Sequence, residues 1–551
     1  MLFSHFFNPW ASRSLSDDTQ QLFAARQKMH NHNMNNLLNF IILQKLVHRF
    51  GLIPKMSGKN KQFFWIKDAN FDKLDNHFFA TFAPSIFGYT STNSGTMQQL
   101  DRTLELETKS IRRLLWIYAL PSIVSQIIAS VYNIVDRMFL GQCVGALAIA
   151  GLAITMPIMN IIHAFGSLVG VGSSARMSIV LGKKDYKWAE DILGNSMLLT
   201  FIFGFLFVTG GYVFMDKILT MFGASADTIA YAREYMDIVL PGMFMTTVTF
   251  NLTGLIRATG YPKKSMWIMV SGAILNIALD ALFIYVMDWG IAGAAWATTI
   301  SMSCTGIVAI WHFLQRSSFI RFRRHSWQPK LYIFRNILLI GMSPFLMNVA
   351  ASGVVALLNR QLIHYGGDLA VGAYGIVNTF GSLSVMLILG VCQGMQPIAG
   401  YNYGAGHPHR LKSVYTLTMK VNVLIGLAGA LLALTIPQIL LRAFTKEDEL
   451  IQIAVPAMRF MLVMFPLVGF TITNSNFFQS IDKPWIAIVT SLSRQVLFLA
   501  PMIYIVPTLF INAGGNGLTG VWASMTISDV LGALLAFLLM LTQRHVFKPA
   551  E

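Results

Sequence analysis

Two aspartates stand within long apolar runs of this 551-residue chain, where little water is available to solvate a charge. Asp136 ends the segment VYNIVD, and Asp280 lies in ILNIALDALFI, four residues after Asn276. Because residues four apart share one face of a helix, Asn276 and Asp280 should point the same way. An aspartate at the centre of a bilayer costs about 2.5–3.5 kcal/mol on insertion scales, so such residues are rare unless they are used. The two acids are therefore the first candidates for chemistry.

A cation or a proton is the ligand that these residue types suit. Two carboxylates close together in a low dielectric cannot both ionise cheaply, so the pair should take up H⁺ or a small hard cation. Thr298, in AWATTIS, offers a further oxygen. Oxygen ligands suit Na⁺, for which Asp136, Asp280 and Asn276 would be the ligands. The plainer alternatives are a solvated Asp136 paired with Arg137, and a structural polar pair between Asp280 and Asn276.

Three other polar residues also fall within apolar runs. Asp529, in TISDVLGALL, is predicted to form a structural ion pair with Arg494 of SLSRQVLF. His163 has a side chain that titrates near neutral pH, but a packing role is favoured for it.

The three cysteines are far apart and have no metal-ligand spacing. The sequence also lacks a P-loop and the HExxH and GxSxG motifs, so neither an enzyme nor a cofactor other than the coupling ion is expected.

Composition places these residues in a membrane protein. Hydrophobic residues make up 54% of the chain and charged residues 12%, whereas a soluble domain carries about 25% charged residues. We expect an all-α fold with twelve transmembrane helices, because twelve apolar segments each approach the roughly 20 residues that span a bilayer. The segments are 114–139, 147–170, 190–214, 231–256, 265–287, 291–314, 337–360, 370–391, 413–436, 450–473, 485–509 and 517–541.

The chain repeats itself at a nearly constant offset. LAIAGLAI at 147–154 matches LAVGAYGI at 369–376, and Pro121 corresponds to Pro344. Near the end of each half, GIAGAAWATTIS matches GLTGVWASMTIS. Two six-helix lobes follow, and because six is even they should be related by a pseudo-twofold axis along the membrane normal. Asn359 stands where the first half has Asp136, so the ion site is predicted in the first half alone.

Loop charges predict the orientation. From position 97 onward, 22 basic residues lie on one side of the predicted helices, and the connecting loops of the other side hold only Lys217, Arg442 and Lys446. The positive-inside rule then places both termini in the cytoplasm. The net charge of +16 is thereby explained without a nucleic-acid partner.

The predicted organisation has five parts. A polar extension, 1–96, precedes Met97, which is the more natural start of the chain. The first lobe is 97–314, a basic cytoplasmic linker is 315–336, the second lobe is 337–543 and a cytoplasmic tail is 544–551.

Six segments in order resemble the multidrug and toxic compound extrusion (MATE) transporters, in particular their DinF- and MepA-like bacterial branch. They are YNIVDRMFLG, GVGSSARMSIVLGKKDYKWAE, GLIRATGYPKKSMW, ILNIALDALFI with GIAGAAWATTIS, QGMQPIAGYNYGAG and FFQSIDKPW with SLSRQVLFLAP, and the resemblance covers about residues 110–543. It implies a monomer with V-shaped lobes in the bacterial inner membrane, which exports organic, often cationic, compounds in exchange for H⁺ or Na⁺.

The resemblance also implies roles for residues. It assigns ion coupling to Asp136, Asn276, Asp280, Thr298 and Asn251. It further assigns a bend of the first helix to Pro121. A lipid-linked oligosaccharide flippase of the same superfamily is the alternative, which would need a wide cationic cavity. The acids of the first half argue against it.

Overall fold

The computed structural model describes residues 104–144, 146–225, 228–316 and 318–548. Within these ranges ten helices are long and apolar enough to cross a membrane, and one bent helix pair adds an eleventh candidate. The fold is therefore the predicted all-helical membrane type. The extension 1–96 and the start at Met97 lie outside the described residues.

The first half contains six helices. They are α1 (Ile111–Cys143), α2 (Ala146–Gly182), α3 (Tyr186–Met221), α4 (Ile229–Ala258), α5 (Pro262–Asp280) and α6 (Gly290–Leu314). The turn between α4 and α5 is encoded locally, because Gly260 adopts a φ of +97° and Pro262 occupies the first turn of α5, where a missing N–H costs nothing. A π-helical turn, Ala281–Val286, continues α5 beyond Asp280.

The second half has more, shorter pieces. They are α7 (Leu331–Gly404), α8 (Pro408–Thr435), α9 (Pro437–Arg442), α10 (Asp448–Leu462), α11 (Phe465–Ser480), α12 (Pro484–Leu492), α13 (Ala500–Asn512) and α14 (Gly517–Thr542), with a π-helical turn, Ser493–Leu499, between α12 and α13. Helix α7 breaks at Gly367, whose φ is +64°. The break divides α7 into a first arm, 331–366, and a second arm, 368–404.

The described chain contains twelve crossings when the two arms of α7 count separately and α10 and α11 form one span bent by 45°. The bounds differ from the apolar segments. Helix α7 begins at Leu331 rather than at 337, and α8 begins at Pro408 rather than at 413. Backbone hydrogen bonds continue into the polar residues at these ends, so the helices extend beyond their apolar segments. No loop separates the predicted segments 337–360 and 370–391, because helix continues up to Gly367.

The two halves touch through a reciprocal pair of glycines. A Cβ atom on Gly182 of α2 would lie 2.1 Å from the Tyr401 carbonyl oxygen, and one on Gly404 would lie 2.0 Å from the Ile179 carbonyl oxygen. Only glycine allows the two backbones to approach so closely. The two glycines are 222 positions apart, which is the repeat offset. The contact between α2 and the second arm of α7 therefore follows the predicted pseudo-twofold relation.

Candidate ion-coupling site

Helix α5 carries two buried polar residues on one face. Asp280 has no exposed surface, and Asn276 is 3% exposed. None of the described residues donates a hydrogen bond to either carboxylate oxygen of Asp280 or to the Oδ1 atom of Asn276. A buried carboxylate without a donor is costly as an anion, so Asp280 is suited to take up a proton or a cation.

Helix α6 adds Thr298 to the same site. The Asn276 Nδ2 atom donates to the Thr298 Oγ1 atom at 3.4 Å. The approach of α6 depends on Gly293, where a Cβ atom would already lie 3.1 Å from the backbone of Phe283. Phe283 belongs to the π-helical turn that follows Asp280. Such turns interrupt α-helices frequently at functional sites, and here one begins directly after the central carboxylate.

Helix α1 supplies the second carboxylate. Asp136 is half-buried, and its charge interacts with Asp280 across the interface between α1 and α5. The structure thus brings four of the five predicted coupling residues together, namely Asp136, Asn276, Asp280 and Thr298.

Tyr235 of α4 belongs to the site and was missed by sequence reasoning. It is 2% exposed, and its hydroxyl group lies near Thr298 and near the charges of Asp136 and Asp280. A tyrosine among apolar residues is ordinary in a membrane helix, so no local signal distinguished it. Only the packing of α4 against α5 and α6 reveals it.

The donor set fits a small, hard ligand. Two carboxylates, a carboxamide and two hydroxyl groups converge inside the first half, and all of their acceptor atoms are oxygens. Because every acceptor atom is an oxygen, the arrangement is suited to H⁺ or to a cation such as Na⁺, which prefers oxygen ligands. The described part of the chain contains no cluster of three or more His, Cys, Asp or Glu side chains of the kind that binds a transition metal.

Asn251 lies in a different polar network. It follows Tyr235 by 16 residues on α4, which corresponds to about 24 Å along a helix. Its Nδ2 atom donates to the hydroxyl groups of Ser196 and Thr200 at 3.2 and 3.1 Å. Its Oδ1 atom accepts from Ser173 at 2.7 Å. Asn251 thus ties α4 to α2 and α3 and does not contact the site.

The other predicted residues also lie away from the site. Pro121 stands inside α1, which is helical on both sides of it, and its carbonyl oxygen accepts from Ser125 at 2.9 Å. Arg494 of the second π-helical turn forms an ion pair with Asp529, which is 3% exposed. His163 is exposed on α2, and its ring meets Phe250 edge-on with centroids 6.4 Å apart.

Comparison with known proteins decides the family. The MatE family model matches residues 121–282 and 344–505. The chain belongs to the MatE family. Both matches begin at the repeated prolines, so the internal repeat is also that of the family model. MatE proteins are membrane transporters, and the expected relation to MATE transporters is confirmed. The multi-pass membrane setting is confirmed with it.

Relatives and solved structures agree with this assignment. The multidrug export protein MepA of Staphylococcus aureus is 26% identical over 423 residues, which are 77% of this MatE chain and 92% of that protein. A MOP superfamily transporter from Pyrococcus furiosus has the same fold, with a TM-score of 0.74 and 24% identity over 84% of this chain and all of the other. An outward-facing multidrug resistance MATE family transporter has a TM-score of 0.75 at the same identity and coverage.

Proposed function

We propose that this MatE protein is a secondary active antiporter of the bacterial plasma membrane. It exports organic, often cationic, compounds in exchange for H⁺ or Na⁺, acts as a monomer and has both termini in the cytoplasm. Its relatives named multidrug export proteins support the cargo class. The single observation that carries the coupling is the fully buried Asp280, to which no described group donates a hydrogen bond.

Ion binding and cargo binding are coupled in this proposal through charge. An ion that enters from outside lowers the negative charge of the Asp136 and Asp280 pair by one, and the less negative site holds a cationic compound less well. A ligand shifts a conformational equilibrium only by its difference in affinity between the two states. The inward movement of one elementary charge supplies about 2.3 kcal/mol per 100 mV of membrane potential.

The conformational step is alternating access between the two lobes. The contact between Gly182 and Gly404 closes the end of the helices that the loop charges predict to be cytoplasmic. Opening of that end requires the two glycines to separate. Pro121 lacks the N–H of a helix interior residue, so α1 can bend there. A bend of α1 at Pro121 on ion binding to Asp136 would link the ion site to this contact.

Dye efflux tests the proposal. Vesicles with purified protein are given an H⁺ gradient and a Na⁺ gradient separately, and the movement of a cationic dye is followed. One of the two gradients should drive the dye, with a fixed stoichiometry between dye and ion. Dye movement that is indifferent to both gradients would exclude antiport.

A further inference from the structure

A basic groove lies between the two halves. It has a volume of about 350 Å³ and lies between the beginning of α1 and the first turns of α8. Three cations line it: Arg112 from α1, and Lys412 and Lys420 from α8. Lys412, Thr416 and Lys420 follow one another at intervals of four residues, so they form one stripe on α8. The groove carries three positive charges and no acidic side chain among its lining residues.

The acidic residues near the groove are engaged elsewhere. Glu105 pairs with Lys109 at 2.6 Å. Glu107 lies 3.8 Å from Lys184 and accepts a hydrogen bond from the Tyr401 hydroxyl at 3.3 Å. Among the described residues, none forms an ion pair with Arg112, Lys412 or Lys420. Within the described part of the chain, the three charges are therefore left without an acidic partner.

Hydrogen bonds join the two walls of the groove in this conformation. Arg410, at the beginning of α8, donates through its Nη2 atom to the carbonyl oxygens of Leu106 and Lys109, at 3.0 and 2.7 Å. Its Nε atom donates to the Asn402 Oδ1 atom at 3.0 Å. These bonds tie the residues before α1 to the second half, so the backbone segments that carry the three cations lie side by side.

The other half of the molecule shows what the groove lacks. At the repeat offset of 222, Lys412 and Ser413 correspond to Glu190 and Asp191 of α3. There, the linker supplies the opposite charges: Lys330 lies 2.5 Å from Asp191, and Arg323 lies 3.1 Å from Glu190. The protein thus satisfies the charges of this position in the first half with its own linker. At the related position in the second half the charge is reversed, and the described chain provides no partner.

Position in the membrane identifies the missing anion. Arg112 and Arg113 precede the uncharged run 114–132, and Lys420 precedes the uncharged run 421–434. We therefore expect Arg112 and Lys420 near the border between headgroups and hydrocarbon, with the apolar part of α8 beginning at 421 rather than at 413. The groove opens at the end of the helices that the loop charges predict to be cytoplasmic. Ser413 and two apolar side chains, Ile111 and Leu417, complete its lining. Basic pockets between membrane helices on this side suit the phosphate of anionic lipids.

We propose that this groove binds the phosphate headgroup of an anionic phospholipid from the cytoplasmic leaflet. Arg112, Lys412 and Lys420 neutralise the phosphate, and the Thr416 hydroxyl group lies between the two lysines to hydrogen-bond it. The acyl chains run along the apolar surfaces of α1 and α8. Because α1 and α8 belong to different halves, the lipid bridges the two lobes. This inference goes beyond antiport and does not depend on it.

Native mass spectrometry of the full-length protein in detergent measures the binding. The probes are palmitoyl-oleoyl phosphatidylglycerol, the corresponding phosphatidylcholine, and inorganic phosphate as a competitor. The groove variant is Arg112→Gln/Lys412→Gln/Lys420→Gln. We expect its first phosphatidylglycerol to bind about tenfold or more weakly, with phosphatidylcholine binding unchanged. The matched control, Lys183→Gln/Lys187→Gln/Lys548→Gln, also removes three exposed cations and should keep the affinity within about twofold.

A single substitution tests the same groove by adding a charge. Ser413→Asp installs the carboxylate that the first half has at Asp191, and it should also weaken phosphatidylglycerol binding without the loss of any cation. This variant decides the matter if the triple variant does not fold. The proposal is overturned if both groove variants bind phosphatidylglycerol like the wild type, or if the control loses as much affinity. Displacement of the lipid by millimolar phosphate would instead identify a site for free anions and would also overturn it.

Discussion

Replacement of either carboxylate of the site by a carboxamide should abolish efflux, whereas the same change at an acid outside the site should not. Asp280→Asn keeps the shape of the side chain and removes its charge, so it should abolish efflux while expression and membrane insertion stay intact. Asp136→Asn should have nearly the same effect, because its charge interacts with that of Asp280. The measurement is ion-driven dye efflux at matched protein levels.

Asp288 provides the control for this prediction. It is exposed beyond the π-helical turn, eight residues after Asp280. Asp288→Asn removes a charge of the same type close by in sequence, and it should leave efflux unchanged. Full efflux by Asp280→Asn at neutral pH would remove that residue from coupling.

The site could be predicted from the sequence only as far as its residues are conspicuous there. Asp136, Asn276, Asp280 and Thr298 stand out because a polar group in an apolar run is costly and needs a reason. Tyr235 does not stand out, since a tyrosine is tolerated along a membrane helix without a partner. Its role arises from helices that meet in space, which no spacing along one helix encodes.

Asn251 marks the opposite limit of sequence reasoning. An amide within an apolar helix indicates a polar partner, but it does not say which helix supplies the partner. Here Ser173, Ser196 and Thr200 supply it, far along α4 from the ion site. At the scale of elements, its network is best understood as a clamp between α2, α3 and α4.

The second half repeats this clamp with its members exchanged. Thr200 and Asn251 correspond at offset 222 to Asn422 and Thr473, and the Asn422 Nδ2 atom donates to the Thr473 Oγ1 atom at 2.8 Å. The amide therefore stands on α4 in the first half and on α8 in the second. Each lobe thus keeps one hydrogen bond between an amide and a threonine, between α3 and α4 in the first half and between α8 and α11 in the second.

The exchange suggests a direct test of the role of Asn251. Asn251→Ala removes the three buried hydrogen bonds with Ser173, Ser196 and Thr200 and should destabilise the protein by about 1–3 kcal/mol. The double variant Thr200→Asn/Asn251→Thr copies the second half and should recover most of that loss. Thermal unfolding in detergent measures both effects. If Asn251 instead couples ions, the double variant would be stable but would lose the ion dependence of efflux.

The glycine contact between the lobes gives a second prediction for the helices. Gly404→Ala places a Cβ atom 2.0 Å from a backbone oxygen of α2, which a flexible side chain cannot relieve. The lobes should then fail to close at this end, and efflux should fall strongly at matched protein levels. Gly182→Ala should behave alike, since the contact is reciprocal.

Gly375→Ala is the control on the same arm of α7. A Cβ atom at this position meets nothing within 4 Å, so helix propensity is the only term that changes, and alanine is the better helix former by about 1 kcal/mol. Efflux should be unchanged. An equal loss from Gly375→Ala and Gly404→Ala would mean that glycine is needed for flexibility of the arm rather than for the contact.

At the scale of the whole molecule, the repeat and the apolar segments predicted the architecture well. The thickness of a bilayer sets the length of each apolar span, and the repeat gives both halves the same order of helices. What they could not predict is where helices continue or break. Gly367 interrupts a helix that otherwise joins two predicted spans, and α10 and α11 bend by 45° within a third. These features depend on single backbone conformations, to which hydropathy averaged over a span is insensitive.

Orientation is the property of the whole molecule that most needs a direct measurement. The excess of basic residues on one side predicts that reporters fused after Glu551, or inserted in the linker 315–336, are cytoplasmic. A reporter near Gly514, in the turn between α13 and α14, should be external. Paired alkaline phosphatase and fluorescent protein fusions measure this, because each is active on one side only.

Twelve crossings return the chain to the side where it began, so an external carboxyl terminus with a cytoplasmic linker would require an odd number of crossings in the second half. That result would contradict the division of α7 into two spans at Gly367, or the joining of α10 and α11 into one.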